Sequence, residues 1–343
     1  ALPICGCGLL VSRLATPAQE ARLTSFSTGS ERRWSARAPC SDHDGMPAAR
    51  RLPAPFDRST FRVADAVGGG IHPERLRRAD LAAPVHGVRA PIDSVEFIDA
   101  VALVMRPDQF FSHTTAAAIW GAPLPQSVQS LRTVHVSTVG DGVRMRRPDV
   151  IAHRIRRPTV VEHRERRVSS PAQMWFECAG VVDRDGLVAI GDHLVGVSGL
   201  ATADDLRAAI RPGTRFALAA RRALDFVREG AESPQETWLR LAVVEAGFPE
   251  PELNVDVHDG AGRLLGRVDM AWPEFGIALE YDGDHHRERD TFRHDQRRDN
   301  GFVVNDWLVI HATASDAHRP ALLFERLRQA FEIRAVGNRR RSA

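Results

Sequence analysis

Arg267-Val268-Asp269-Met270-Ala271-Trp272-Pro273-Glu274-Phe275-Gly276-Ile277-Ala278-Leu279-Glu280-Tyr281-Asp282 is the stretch on which the reading of this chain turns. Two alternating runs flank Pro273 to Gly276, so the segment predicts a β-hairpin. With that loop, Trp272 pairs with Ile277, and counting back sets Asp269 opposite Glu280. Directly opposed side chains share a face, with Cβ atoms ~4.5–5.5 Å apart. Glu280 and Asp282, two apart on one strand, share that face too. Three carboxylates so close raise one another's pKa unless a cation sits between them. Hard oxygen donors of this kind select Mg2+ or Mn2+. The alternative is neutralisation by arginine, since the same register sets Arg267 opposite Asp282. Ile277, Leu279 and Tyr281 point the other way, as the core face.

Working outward, Ser233-Pro234-Gln235-Glu236 opens a helix that runs to Ala246 and stops at Gly247. Serine at the cap and glutamate three residues later form a capping box. That accounts for Glu236 structurally, and a role near a metal is the other reading. Leu253 to Val257 alternates as a strand, Asp259 to Gly262 is a turn, and Arg263 to Ala271 is the next strand. After Asp282 come Gly283, Asp284, His285 and His286. His286 could act as a general base or touch a leaving group, or be an inert surface residue. Residues 287–300 carry five arginines and four acids. They read as a solvated helix from which Arg293 and Arg298 reach phosphate. Trp307 to Thr313 is a buried strand and Pro320 to Arg334 a closing helix. A basic tail, 335–343, follows. The order is helix, three strands, helix, strand, helix.

The remainder is less regular. The 343 residues include 46 basic side chains, every one an arginine. No mechanism here can use a lysine ammonium, whereas arginine offers planar, bidentate donors suited to phosphate. No apolar run approaches the ~18–20 residues that cross a bilayer, so no membrane association is expected. No CxxC pair exists among the four cysteines, so neither a cysteine zinc site nor a disulfide framework is expected, which fits the cytoplasm. Residues 1–45 lack periodicity and a basic stretch ahead of Leu2 to Val11. They read as a disordered extension, one that a start placed too far upstream would explain. Residues 46–92 predict a small winged-helix-like module. Its parts are a helix capped by Ser59 and broken at Gly68–Gly70, an arginine-rich helix over His72–Asp80 and a strand at Val85–Val88. Arg75, Arg77 and Arg78 are its candidate nucleic-acid contacts. Residues 93–222 predict a mixed α/β domain, with a helix over 112–121 and a strand over 134–137. Nine arginines face three acids between Arg144 and Arg167. That block is either a nucleic-acid-facing surface or a set of solvated strands.

The motifs Glu232-Ser233-Pro234-Gln235-Glu236, Arg267-Val268-Asp269 and Glu280-Tyr281-Asp282-Gly283-Asp284-His285-His286 resemble an actinobacterial domain family. That family is related to very-short-patch-repair endonucleases, in the PD-(D/E)XK superfamily. The likeness covers about the last 110 residues. Residues 56–220 look more loosely like the N-terminal and middle domains of AbiEi-type antitoxins, through Ser112-His113-Thr114-Thr115-Ala116 and Gly121. The resemblance implies an α+β multidomain chain ending in a restriction-endonuclease-like αβββαβ core over 225–334. Within that core Asp269, Glu280 and Asp282 bind the metal and Glu236 supports them. The chain departs from the family pattern at Asp282, which stands where the superfamily has lysine. Two functions remain open: a Mg2+-dependent DNA endonuclease of repair or defence, and a non-catalytic DNA-binding regulator. The regulator would work with a cognate toxin or as a homodimer.

Overall fold

In the computed structural model the described residues are 26–27, 51–94, 96–129, 133–282, 298–313, 316 and 319–341. They form a mixed α+β chain with several sheets. It divides into two compact units, one of residues 29–121 and 130–177, the other of residues 1–28, 122–129 and 178–343. Apart from 26–27, the expected extension over 1–45 lies outside the described residues, as do His285, His286 and Arg293. No helix among the described residues is long and apolar enough to cross a membrane.

In the first unit, strand β1 (Phe61–Arg62) leads directly into helix α1 (Val63–Gly68). Ser59 does not cap it: its hydroxyl donates to the Pro55 carbonyl at 2.8 Å. The glycine stretch ends the helix as expected, with Gly70 at φ +85°, a region that L side chains rarely adopt. The helix expected over His72–Asp80 is a single 3-10 turn, Arg75–Arg77. Arg75 is instead drawn to Asp80 by two hydrogen bonds of 3.0 and 2.7 Å. Strands β1 and β2 (Leu81–Ala82) both pair antiparallel with β3 (Val88–Pro91). The strand expected at Val85–Val88 therefore only begins at Val88. Gly87, at φ +86°, makes the preceding residues a turn.

The same unit continues through α2 (Phe97–Ala102), β4 (Gln109–Phe111), α3 (His113–Ile119), β5 (Val134–Val139), β6 (Val150–Ile155), β7 (Val160–His163), β8 (Arg166–Ser169) and α4 (Pro171–Cys178). The five strands lie in the order β6-β5-β4-β8-β7. β7 and β8 form a hairpin whose two turn residues, Arg164 and Glu165, have φ of +48° and +60°. That two-residue geometry matches the right-handed twist of the flanking strands. Phe110, Phe111, Val136, Val168, Met174 and Trp175 are fully buried.

The second unit holds α5 (Arg184–Val195), α6 (Ala203–Ala209), α7 (Ala217–Leu224), α8 (Pro234–Glu245), β9 (Glu252–His258), β10 (Leu264–Trp272), β11 (Ile277–Asp282), β12 (Leu308–Thr313) and α9 (Pro320–Arg341). Its sheet runs β9-β10-β11-β12. The first two pairings are antiparallel and β11–β12 is parallel. With the helical residues 298–304 ahead of β12, the element order is the one expected. One sheet face packs Met270, Trp272, Ile277 and Leu279 against Trp238, Leu323, Phe324 and Leu327. A second cluster gathers Val268, Ala271 and Ala278 with Phe302. α9 continues through Arg341, taking up most of the expected tail.

The unit boundary falls at Cys178. Beyond that boundary, α8 contributes the buried Arg240. Its guanidinium is buried against Asp192 of α5 at 2.9 Å. Asp192 also accepts from the Thr237 hydroxyl at 2.8 Å and the Arg228 N–H at 2.7 Å. A buried charge is tolerable only when so paired, and this one ties α5 to α8.

Candidate active site

The hairpin has the register that counting predicts. Trp272 pairs with Ile277, Ala271 with Ala278 and Met270 with Leu279. Pro273–Phe275 is one 3-10 turn, and Gly276 closes it at φ +59°. One step further along, at Asp269 and Glu280, side chains take over from the ladder. The Tyr281 N–H donates to Asp269 Oδ2 at 2.7 Å. Arg298 enters beside Glu280. Its guanidinium donates to both Glu280 oxygens, at 2.9 Å through Nη1, and to the Arg267 carbonyl. Phe302, one helical turn on, carries the guanidinium 5.1 Å above its ring. Gly266 makes the space: a Cβ there would lie 2.5 Å from Arg298 Nε.

Asp269 is the most perturbed acid of the site. Burial pushes its pKa up to about 6, the charges of Glu236 and Glu280 push the same way, and the Tyr281 hydrogen bond and Arg298 oppose them. Glu236 is buried at the first turn of α8. Ser233 Oγ accepts from the Glu236 N–H at 3.2 Å, so half of the expected capping box is present. The carboxylate does not turn back to Ser233. It accepts from the Glu232 N–H at 2.9 Å and from Asn254 Nδ2 at 3.0 Å. Asn254, at φ +49°, thus links β9 to the acidic group.

The expected cluster of three carboxylates does not form. Among the described residues, only three histidines elsewhere bring three ligand atoms within 4.8 Å of one another. Asp282 is engaged differently, with its Oδ2 3.4 Å from His311 Nδ1. His311 lies beside Glu280 in the parallel β11–β12 register. Its Nδ1 is buried without a hydrogen bond and sits 3.9 Å from Glu280 Oε2. Arg267 does not reach Asp282, because the β10–β11 ladder ends before that pair. It donates to Glu232 at 2.9 Å and lies 3.6 Å from Asp256. Arg298, expected to face phosphate, is committed to Glu280. His311, Asn254 and the Arg298 clamp were not foreseen. Only a parallel register and a left-handed asparagine would have signalled the first two, and neither has a local sequence pattern. In the first unit, Arg75 is paired with Asp80, Arg77 is exposed and Arg78 is half-buried.

Compared with curated proteins, the chain is 30% identical over 209 residues to the uncharacterized protein Rv2248 of Mycobacterium tuberculosis strain ATCC 25618 / H37Rv. The uncharacterized protein MT2308 of strain CDC 1551 / Oshkosh is similar to the same degree. Each alignment covers 60% of this chain and 74% of the relative. The chain belongs to the family of these two mycobacterial proteins. No protein-family model matches it, and no solved structure does.

Proposed function

We propose that α8 through α9 is a restriction-endonuclease-like domain, and that the chain hydrolyses DNA phosphodiester bonds using Mg2+ or Mn2+ held by Asp269 and Glu280. The observation that carries this reading is the half-buried Asp269 carboxyl near Glu280, pushed up to about 6 by partial burial and by its acidic neighbours. A partly buried acid next to like charge is unfavourable on its own, and a hard divalent cation removes the conflict. The donors fit such an ion, being two carboxylates on adjacent, well-packed strands. When bound, it supplies a Lewis acid for phosphoryl oxygen and an acidified water. The residues around it have separable tasks. Asn254 and the Glu232 N–H hold Glu236 in place behind Asp269. Arg298 gives Glu280 a fixed positive partner, in a chain with aspartate at the superfamily's lysine position. His311 lies within reach of both Glu280 and Asp282. The exposed Arg77 suits the first unit's small sheet-and-helix module, read as winged-helix-like, to backbone phosphate.

A second reading has one observation of its own. Arg298 takes both Glu280 oxygens, so Glu280 is already neutralised by protein. This favours a DNA-binding regulator of antitoxin type, acting with a cognate toxin or a second copy of the chain.

The deciding experiment is cleavage of plasmid and duplex DNA by the full chain with Mg2+, Mn2+ or chelator, with Asp269→Ala as control. The nuclease reading expects metal-dependent cutting that falls at least roughly a hundredfold in the variant, the scale on which one charged group at a transition state acts. No cutting by folded wild type, together with tight duplex binding, overturns it in favour of the regulator.

A further inference from the structure

The first unit contains a second constellation, unrelated to the acidic hairpin. His135 lies on β5 and His153 on the adjacent parallel strand β6. Ser137 pairs with His153 and His135 with Ile151, so both imidazoles stand on the sheet face that Ser137 shares. α3 sets His113 against that face. Ligand atoms of the three rings all lie within 4.8 Å of one another. His135 Nδ1 is 3.0 Å from His153 Nε2. The ring centroids are 3.8 Å apart for His113–His153, 5.1 Å for His135–His153 and 5.2 Å for His113–His135. Two nitrogens bound to one tetrahedral zinc ion lie about 3.3 Å apart, given bonds of ~2.0–2.1 Å. The His135–His153 spacing is already close to that.

The surroundings are organised around these rings. Ser112 and Ser137 are fully buried, and their hydroxyls are hydrogen bonded at 2.7 Å. Ser112 Oγ is 2.9 Å from His113 Nδ1. The buried Glu177 accepts from the His113 N–H at 3.0 Å and the Ser169 hydroxyl at 2.7 Å, and its Oε2 is 3.9 Å from His113 Nδ1. Metal-bound histidines usually present their second ring nitrogen to such a hydroxyl or carboxylate, which fixes the tautomer. Holding His113 at Nδ1 leaves Nε2 as its available ligand atom. His113 itself sits at φ +52°, a conformation that persists in a non-glycine residue only when its surroundings require it.

We propose that His113, His135 and His153 form a binding site for a zinc-class transition-metal ion, with Ser112 and Glu177 as positioning residues. All three rings are held neutral, chiefly by burial, so each offers a lone pair without first losing a proton. Imidazole donors favour Zn2+ over Mg2+, which separates this site from the carboxylates of the second unit. The rings are close to parallel, with interplanar angles of 9 to 27°. A ligand's lone pair lies in its ring plane, so binding must rotate at least one ring out of the stack and replace the His135–His153 hydrogen bond. Three protein ligands leave a fourth position for water or a substrate atom.

The test titrates the metal-stripped full chain with Zn2+ by calorimetry and with Co2+ by visible absorption, alongside His153→Gln, Ser112→Ala and Asp269→Ala. The expected result is one equivalent bound, intense tetrahedral Co2+ bands, and imidazole proton resonances that shift on binding. His153→Gln should weaken binding at least about a hundredfold and Ser112→Ala roughly tenfold. Asp269→Ala should bind like wild type, and excess Mg2+ should not compete. If His153→Gln fails to fold, the wild-type Co2+ spectrum and resonance shifts decide by themselves. Octahedral, weak bands, sub-stoichiometric uptake, or binding unchanged in a folded His153→Gln would overturn the proposal.

Discussion

At Asp269, charge and burial oppose each other. A carboxyl with its pKa lifted from 3.8 to about 6 binds a proton more readily folded than unfolded. The resulting penalty is absent below about pH 4, grows between pH 4 and 6 and is complete above that. Asp269→Asn should therefore stabilise the metal-free protein at pH 7.5 by roughly 1–2 kcal/mol, discounting about 1.4 kcal/mol per pH unit for residual solvent. Urea denaturation at pH 7.5 and pH 4 checks this, and an equal effect at both would show that Asp269 is not strained by charge. The hairpin register from Trp272–Ile277 to Met270–Leu279 was legible in the sequence because it needs only period two and a four-residue loop. Arg298 and His311 were not. Each reaches Glu280 from a later element, and no local rule states which turn of a helix or which step of a parallel pair will arrive there.

Among the elements, α8 carries two loads. Its N-terminus holds Glu236 at the acidic site, and its middle buries Arg240 against Asp192. Arg240→Ala would strand a buried carboxylate and should cost about 3–5 kcal/mol of unfolding free energy. The loss is read from the denaturant midpoint at unchanged slope, and one below about 1 kcal/mol would show that water replaces the guanidinium. The helix itself was visible in Ser233-Pro234 and the spacing behind it. Its pairing with α5 was not, because an aspartate 48 positions upstream leaves no mark on the local pattern. The arginine-rich 72–80 segment erred the other way. Charge and spacing suggested a helix there, whereas the Arg75–Asp80 pair closes only a turn.

For the whole molecule, the histidine cluster contributes to the response to acid. Burial holds His113 near about 2 and His135 near about 4, and lowers His153 as well, against 6.5 unfolded. Below pH 6.5 the unfolded chain takes up more protons, so stability is present above that pH and lost as it falls. The limit is about 1.4 kcal/mol per pH unit for each histidine, opposed over pH 6 to 4 by the smaller Asp269 effect. Thermal midpoints of the metal-free chain should drop steeply from pH 7 to 5, and a flat profile would mean that the rings charge freely in place.

The parallel β11–β12 pairing bears on how the acidic site comes into being. Glu280 and His311 are neighbours in space but 31 positions apart in the chain, and parallel strands cannot be joined by a tight turn. The β10–β11 hairpin is a local structure that can close within microseconds, whereas β12 must first meet the entropy of a long loop. Asp269 and Glu280 can thus come together early, while the third wall of their site arrives only with β12. Until then β11 offers an open edge of unpaired N–H and carbonyl groups, the kind of surface that recruits a strand from another chain.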